Sequence, residues 1–370
     1  MASQGGEAER SSSLLHGPIE TDAVIVGAGP VGLFQVFELG LLNIKAHVID
    51  ALAHPGGQPM ELYPHKPIYD IPAIPVCTGR GLTDALLKQI EPFHAEFHLN
   101  QQVATLARRD DGRFDVSTAT GTRFITKTVF IAAGVGAFQA RTLQLPELDA
   151  FEGSQLFYRV VNPSDFEGKH LVIAGGEDAA VEAALRFASD GPFMAASVTL
   201  VHRRDVFKGS ADSLRRLRAL SEQSRIRIVV GQIDGQESKG GRLTALRLTA
   251  PDASTQAVTA DVLLVCLGLS PKLGPVSQWG LDIQRKQLTV DTEKFSTNVP
   301  GIFAVGDINT YPGKRKLILC GFHECTLAAF AASAIVYPDL PVVLQYTTSS
   351  TQLHKILGLP PGDSREQGDH

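Results

Sequence analysis

The sequence predicts an α/β protein of two Rossmann-like domains, one inserted into the other, and three observations carry that prediction. A strand, a glycine turn and a helix begin at Asp22; the same pattern returns at His170; and a late buried strand, Gly301 to Asp307, ends in Gly-Asp after the second pattern is complete. A chain of 370 residues suits about two domains at roughly 150 residues each, and 44 % apolar content supplies their cores.

Taken in order, Met1 to Gly17 holds Glu7, Glu9, Arg10 and three consecutive serines and reads as a solvated tail without the cationic and apolar segments of a signal peptide. Asp22 to Val26 is a Val/Ile strand, Leu33, Val36, Phe37 and Leu39 recur at helical spacing, and Lys45 to Ile49 closes a βαβ unit on Asp50. Arg80 to Val103 reads as mostly helical, followed by a β-meander over Arg113 to Ala119 and Thr122 to Ile131. In the second unit come His170 to Ala174, an Ala-rich helix from Asp178 to about Ala188, a strand from Ser197 to Val201, and alternating stretches Arg242 to Thr249 and Ala257 to Val265. The expected division is a tail over 1–17, a first domain over 18–139 and 285–370, and a second domain over 140–284. The most apolar stretch, Ala23 to Phe34, is broken by glycine and proline, so no membrane span is expected.

Charge narrows the partners. The 34 Lys and Arg against 39 Asp and Glu leave −5, which does not suit a nucleic-acid binder. Cys77, Cys266, Cys320 and Cys325 form neither a disulfide framework nor a C-x-x-C pair, and a reducing, cytoplasmic location is expected. No metal site is expected.

Gly27, Gly29 and Gly32 match G-x-G-x-x-G between strand and helix, with Asp50 eighteen residues beyond Gly32. Glycines there allow a tight turn and close backbone approach, so helix N–H groups and the helix dipole face a pyrophosphate while Asp50 accepts from a ribose diol. In the second unit Gly175, Gly176, Glu177, Asp178 and Ala180 occupy the equivalent turn, with Glu177 where the second motif glycine would stand. His202, Arg203 and Arg204 lie at the next strand end, where an acid would select NAD; the basic pair suits the 2′-phosphate of NADP(H). A carboxylate about 4 Å from a pyrophosphate charge costs roughly 1 kcal/mol in bulk water and about 4 at an effective dielectric of 20. An inward Glu177 would weaken binding considerably and an outward one would not; the expectation is that NADPH binds, but more weakly or with altered geometry than a glycine at that position would allow.

The first motif, with His54-Pro55-Gly56-Gly57-Gln58 and Gly306-Asp307, resembles the flavin domain of the two-dinucleotide flavoproteins that include thioredoxin reductase and glutathione reductase. The resemblance implies FAD and a pair of three-layer ββα domains. The helix after the second motif lacks the C-x-x-C by which thioredoxin reductases pass electrons, so that route is excluded. Leu62-Tyr63-Pro64, Ile68-Tyr69-Asp70, Gly134-Val135-Gly136-Ala137-Phe138, His202-Arg203-Arg204-Asp205, Trp279-Gly280-Leu281-Asp282 and Gly321-Phe322 then resemble the thioredoxin-reductase-like ferredoxin-NADP reductases, nearly end to end. That resemblance makes Asp50 the adenosine-ribose acceptor, Val103 an adenine contact, Gln58 and Tyr63 flavin contacts, Phe138 part of the flavin pocket and Asp307 the ribityl holder. It aligns Tyr346, Thr348 and Ser349 with a segment covering the other flavin face, so that Tyr63 and Tyr346 would sandwich the ring system and Tyr346 would gate hydride transfer.

The reaction so implied is hydride transfer between NADPH and FAD and one-electron exchange with ferredoxin or flavodoxin, with no side chain acting as acid or base. A homodimer is implied as well. Acidic carriers would need a local basic patch, and Lys314, Arg315, Lys316 and Arg215, Arg216, Arg218 are the candidates. Two other classes share these motifs: an NAD(P)H oxidase, quinone or flavin reductase, and a non-enzymatic flavin-binding redox sensor whose nucleotide site is impaired at Glu177.

Overall fold

The computed structural model describes residues 17–160, 162–340, 347–348 and 350–358, without the side chains of 137–140, 269–272 and 352. The expected tail, save Gly17, lies outside the described residues, as do Tyr346 and Ser349. Contacts divide the chain into two compact units, Met1–Ala137 with Lys272–His370, and Phe138–Pro271. The return thus falls at Lys272, against an expected 285. Val276 is buried in the first unit's core, and Trp279 Nε1 donates to the Ala104 carbonyl at 3.4 Å.

In the first unit a seven-stranded sheet runs Glu96–His98, Ala46–Ile49, Ile19–Val26, Arg123–Ile131, Phe114–Thr118, Val103–Arg108, with Ile302–Ala304 also paired to Arg123–Ile131. Arg123–Ile131 does two jobs. Its end, Val129 to Ile131, pairs in parallel with Ile302–Ala304, while its start pairs antiparallel with Phe114–Thr118 and so joins the meander to the parallel sheet. Between Ile19–Val26 and Ala46–Ile49 the helix Pro30–Leu41 buries Leu33, Val36 and Leu39 in the shared core. The region expected to be mostly helical is a helix over Gly79–Ile90, capped by the Thr78 hydroxyl, which accepts from Gly81 N; it then gives a parallel edge strand, Glu96–His98. Three residues of strand leave too short a periodic signal to read.

The second unit repeats the plan. Five parallel strands run Leu156–Phe157, Val262–Val265, His170–Ala174, Ser197–His202, Ile226–Val230, beside an antiparallel sheet of Gln232–Lys239, Arg242–Thr249 and Thr255–Thr259. The stretch Ala257 to Val265, expected as one strand, is two, one in each sheet. They part at Ala260 and Asp261, where the Asp261 carboxylate accepts from His170 N at 2.9 Å.

One helix among the described residues, Ile318–Val336, is long and apolar enough to cross a membrane. It is longer than Ala23 to Phe34, whose apolar run is denser but interrupted by glycine and proline. Ala328, Ala329, Ala332 and Val336 sit in the first unit's core and Glu324 is fully buried, so one face of this helix packs within the unit.

Candidate functional site

The first glycine turn is shaped by three different constraints. Gly27 has φ +113°, and a Cβ there would stand 2.5 Å from the Ala132 carbonyl oxygen; at Gly32 a Cβ would run into the Gly27 carbonyl. Gly29 is different. Its φ of −71° and ψ of 178° are open to any residue, and a Cβ would meet only the Gly57 Cα, at 3.9 Å. It is the N-cap of Pro30–Leu41, offers no side-chain cap, and leaves the first N–H groups of that helix uncapped by protein. Gly57 completes the cradle, since a Cβ on it would press to 2.9 Å from Gly29 Cα. This floor of bare backbone at a helix N-terminus fits a pyrophosphate.

Asp50 closes one side of the cradle. Its carboxylate accepts from Ala28 N at 2.5 Å and Leu52 N at 2.8 Å, which ties it to the glycine turn itself. Burial pushes this carboxyl above the ordinary carboxylate range, and the two backbone hydrogen bonds oppose the shift. Val103, the expected adenine contact, buries its side chain in the core.

Gln58 lies in the short helix Gly57–Leu62, and Tyr63 is its C-cap. Burial raises the Tyr63 phenol, with the charges of Asp307 and Asp70 adding to the effect, so the structure brings Tyr63 and Asp307 within electrostatic reach. Phe138 lies in the strand Ala137–Ala140, whose side chains are outside the described residues, and Thr348 is exposed.

Asp307 sits in the one-turn helix Gly306–Ile308, and its support was missed by sequence reasoning. Glu324, 0 % exposed, accepts from Gly306 N at 2.7 Å, Asn309 Nδ2 at 2.8 Å and Tyr311 OH at 2.9 Å, and pairs with Lys314, whose Nζ also donates to the Gly306 carbonyl at 2.9 Å. Both ends of the Gly306 unit are thereby held by one buried ion pair. Gly321 lets the long helix approach, because a Cβ there would collide with Val31 at the start of Pro30–Leu41. The available signal was Glu324 in an apolar run; its partners were ten to eighteen residues away. Burial raises the Asp307 carboxyl, while Lys314 and Lys316 draw it down. Lys314 therefore belongs to the interior, with its side chain only 6 % exposed, and is withdrawn from the basic patch.

In the second unit Gly175 packs on the Cys266 carbonyl, and a Cβ at Gly176 would stand 2.5 Å from the His202 ring. Ala180 is fully buried. Glu177 is the N-cap of Asp178–Ala188 with φ −91° and ψ 170°, gives no side-chain cap, and turns outward to an ion pair with Lys208 Nζ at 3.0 Å. The Lys208 N–H donates to the Gly176 carbonyl at 2.8 Å, so the pair is tied to the turn by its own backbone. Sequence reasoning did not single out Lys208. Arg203 and Arg204 are exposed and have no carboxylate partner among the described residues, whereas Arg215 pairs with Asp212 and Arg218 with Asp205. Burial, and then the charges of Arg203 and Arg204, hold His202 below its ordinary value.

All four cysteines are free. Burial pushes the Cys266 thiol up to about 11, Cys325 well above its ordinary value and Cys77 upward, so these three are protonated and weakly nucleophilic near neutral pH.

Residues 21–324 match the family model for pyridine nucleotide-disulphide oxidoreductases. A protein of Polaromonas naphthalenivorans described as a ferredoxin–NADP reductase is 62 % identical over 353 residues, 95 % of this chain and 96 % of that one. One of Cupriavidus metallidurans, described as ferredoxin–NADP reductase 2, is 60 % identical over 92 % of both chains. Among solved structures, Lactococcus lactis thioredoxin reductase superposes with a TM-score of 0.63 at 24 % identity, over 86 % of this chain and 99 % of that one. The bacillithiol disulfide reductase of Staphylococcus aureus gives 0.65 at 14 %, over 87 % and 100 %; both establish the two-domain fold alone.

Proposed function

The chain belongs to the pyridine nucleotide-disulphide oxidoreductase family, and from that premise we propose that it is an FAD-dependent ferredoxin–NADP reductase. The observation that carries the reading is the pairing of near-full-length identity of 60–64 % to proteins described by that activity with a bare pyrophosphate cradle at Gly29 and Gly57. A flavin held in this cradle would supply two-electron chemistry toward NADPH and one-electron chemistry toward a carrier.

The residues of this chain bind and orient. The N-terminus of Pro30–Leu41 faces the pyrophosphate, Asp50 receives the ribose hydroxyls from a position fixed by Ala28 and Leu52, and Asp307 holds the ribityl chain from a turn clamped by Glu324 and Lys314. Gln58, Tyr63, Val103 and Phe138 are assigned to the ring systems, and Tyr346, Thr348 and Ser349 to the opposite flavin face. At the second turn Gly175, Gly176, Asp178 and Ala180 shape the loop, Arg203 and Arg204 beside His202 take the 2′-phosphate, and Lys208 balances Glu177. The raised thiols of Cys77, Cys266 and Cys325 support electron passage without a thiol relay.

The proposed carrier is acidic, ferredoxin or flavodoxin, docking on exposed cations within one unit, Arg315 and Lys316 in the first or Arg216 in the second. A homodimer in a reducing cytoplasm completes the reading, with light scattering as its check. Anaerobic addition of NADPH to the purified yellow protein should bleach the flavin band and then reduce ferredoxin. Bleaching with electron flow to oxygen or quinone alone would select the oxidase reading, and an unbleached band at millimolar NADPH the sensor reading.

A further inference from the structure

One cluster in the first unit takes no part in the function above. The edge strand Glu96–His98 runs parallel to Ala46–Ile49, with His47 beside Glu96 and Ile49 beside His98. His47 Nδ1 and His98 Nε2 face each other at 3.0 Å, Glu96 Oε2 lies 3.8 Å from His47 Nδ1, and one ligand atom from each residue falls within 4.8 Å of the other two. We propose that His47, Glu96 and His98 form a binding site for a divalent transition-metal ion of the zinc, nickel and copper class.

Donor chemistry selects that class. Two imidazoles and one carboxylate suit borderline metals and leave coordination positions for water, whereas calcium and magnesium call for oxygen ligands. With metal–nitrogen bonds of about 2.0–2.1 Å, two nitrogens as close as these subtend about 90° at the ion, the cis angle of tetragonal and octahedral sites. A tetrahedral zinc site would need them a few tenths of an ångström further apart.

The cluster is also held in place. His47 is only 13 % exposed, and both rings pack against Phe124, with centroids 5.7 and 4.9 Å away, so the imidazole donors stand on strands and a packed ring and not on loops. Glu96, 71 % exposed, is free to swing and close the site from the solvent side, which gives the ion its entry path. Burial holds both histidines below their ordinary value, so each ring has a lone pair to give at neutral pH. The same two nitrogens make a ring-to-ring hydrogen bond when no metal is bound, so the two arrangements exclude each other.

The site has a structural consequence. The His98 carbonyl accepts from Asp50 N at 3.1 Å, so an ion joining His98 to His47 pins the edge strand next to the carboxylate assigned to the ribose. The test is independent of that assignment. Tag-free holoprotein, stripped with chelator and dialysed, is titrated separately with Zn²⁺ and Ni²⁺ by calorimetry, and its metal content is measured after gel filtration.

One equivalent should bind at micromolar or tighter affinity and survive filtration, with a higher melting temperature. His98→Gln should lose it, and Glu96→Gln should weaken it about tenfold, both with unchanged far-ultraviolet circular dichroism and unchanged reduction of the flavin by NADPH. If His98→Gln unfolds, the exposed Glu96→Gln variant decides alone. The absence of stoichiometric binding by the wild-type protein, or undiminished binding by folded His98→Gln or by Glu96→Gln, would overturn the site.

Discussion

The two glycine turns have nearly the same backbone at their second motif position and opposite chemistry. Gly29 and Glu177 are both N-caps in extended conformation, at φ −71°, ψ 178° and φ −91°, ψ 170°. Neither fold requires glycine there. Gly27 and Gly32 answer to the chain's own atoms, while no described residue crowds Gly29, which leaves its bare position for the proposed pyrophosphate. At the second turn a carboxylate occupies that position and is drawn outward by Lys208. The first turn is bare and uncharged where the proposed phosphate would approach; the second presents a neutralised pair that a phosphate would have to rearrange.

Exchanging the chemistries is the strongest way to break this comparison. Gly29→Glu leaves the backbone untroubled but sets a carboxylate against the pyrophosphate, an effect of about 4 kcal/mol at a dielectric of 20. The variant should fold and purify colourless, and ultrafiltration with added FAD should show affinity lost by nearly three orders of magnitude. If Gly29→Glu retains flavin, the cradle is elsewhere. The first unit's second support is tested next. Lys314→Met leaves the buried Glu324 carboxylate without its cation and should destabilise the protein by about 3 kcal/mol, seen as a lower urea midpoint, whereas exposed Lys316→Met should leave that midpoint in place.

The two glycine turns were legible in the sequence because strand, turn and helix are local, and spacing reports local geometry. Both βαβ units and the late Gly-Asp strand stand where the pattern puts them. What escaped was made by residues far apart or by elements too short to show a period. Lys314 read as a surface cation, since sequence does not reveal that Glu324 waits beneath it in a helix ten residues on. Glu177 stood out as an anomaly, but its sign of effect depended on Lys208, thirty-one residues away. Glu96–His98 is too brief for any pattern, and the histidine pair exists only because that strand lies beside Ala46–Ile49.

Smaller effects sharpen the second turn. Arg203→Ala and Arg204→Ala should each weaken NADPH binding about tenfold, near 1.5 kcal/mol for a charge-assisted hydrogen bond at an exposed site, and leave NADH binding unchanged. Equal losses for the two coenzymes would remove the 2′-phosphate assignment. Glu177→Gly frees Lys208 for the pyrophosphate and should tighten NADPH about fivefold, corresponding to roughly 1 kcal/mol between exposed charges. Because the wild-type carboxylate already holds Lys208, Lys208→Met should weaken NADPH modestly in wild type and more strongly in Glu177→Gly, where the freed ammonium faces the pyrophosphate. A double-mutant cycle on Glu177 and Lys208 measures that difference, and simple additivity would show that the ion pair has no part in coenzyme binding.

The smallest expected effect is a pH dependence carried by His202, whose ring fills the space that a side chain at Gly176 would take. Burial, Arg203 and Arg204 lower its pKa in the folded state beneath 6.5, so on acidification the unfolded chain takes up the proton first. Above 6.5 both states are neutral and His202 contributes no slope. As pH falls from 6.5 through the folded value, stability is lost, and it levels off once both states are protonated. His202→Gln should flatten that part of the urea-midpoint profile and leave the rest unchanged; an unaltered slope in His202→Gln would mean the ring is not held neutral beneath the second turn.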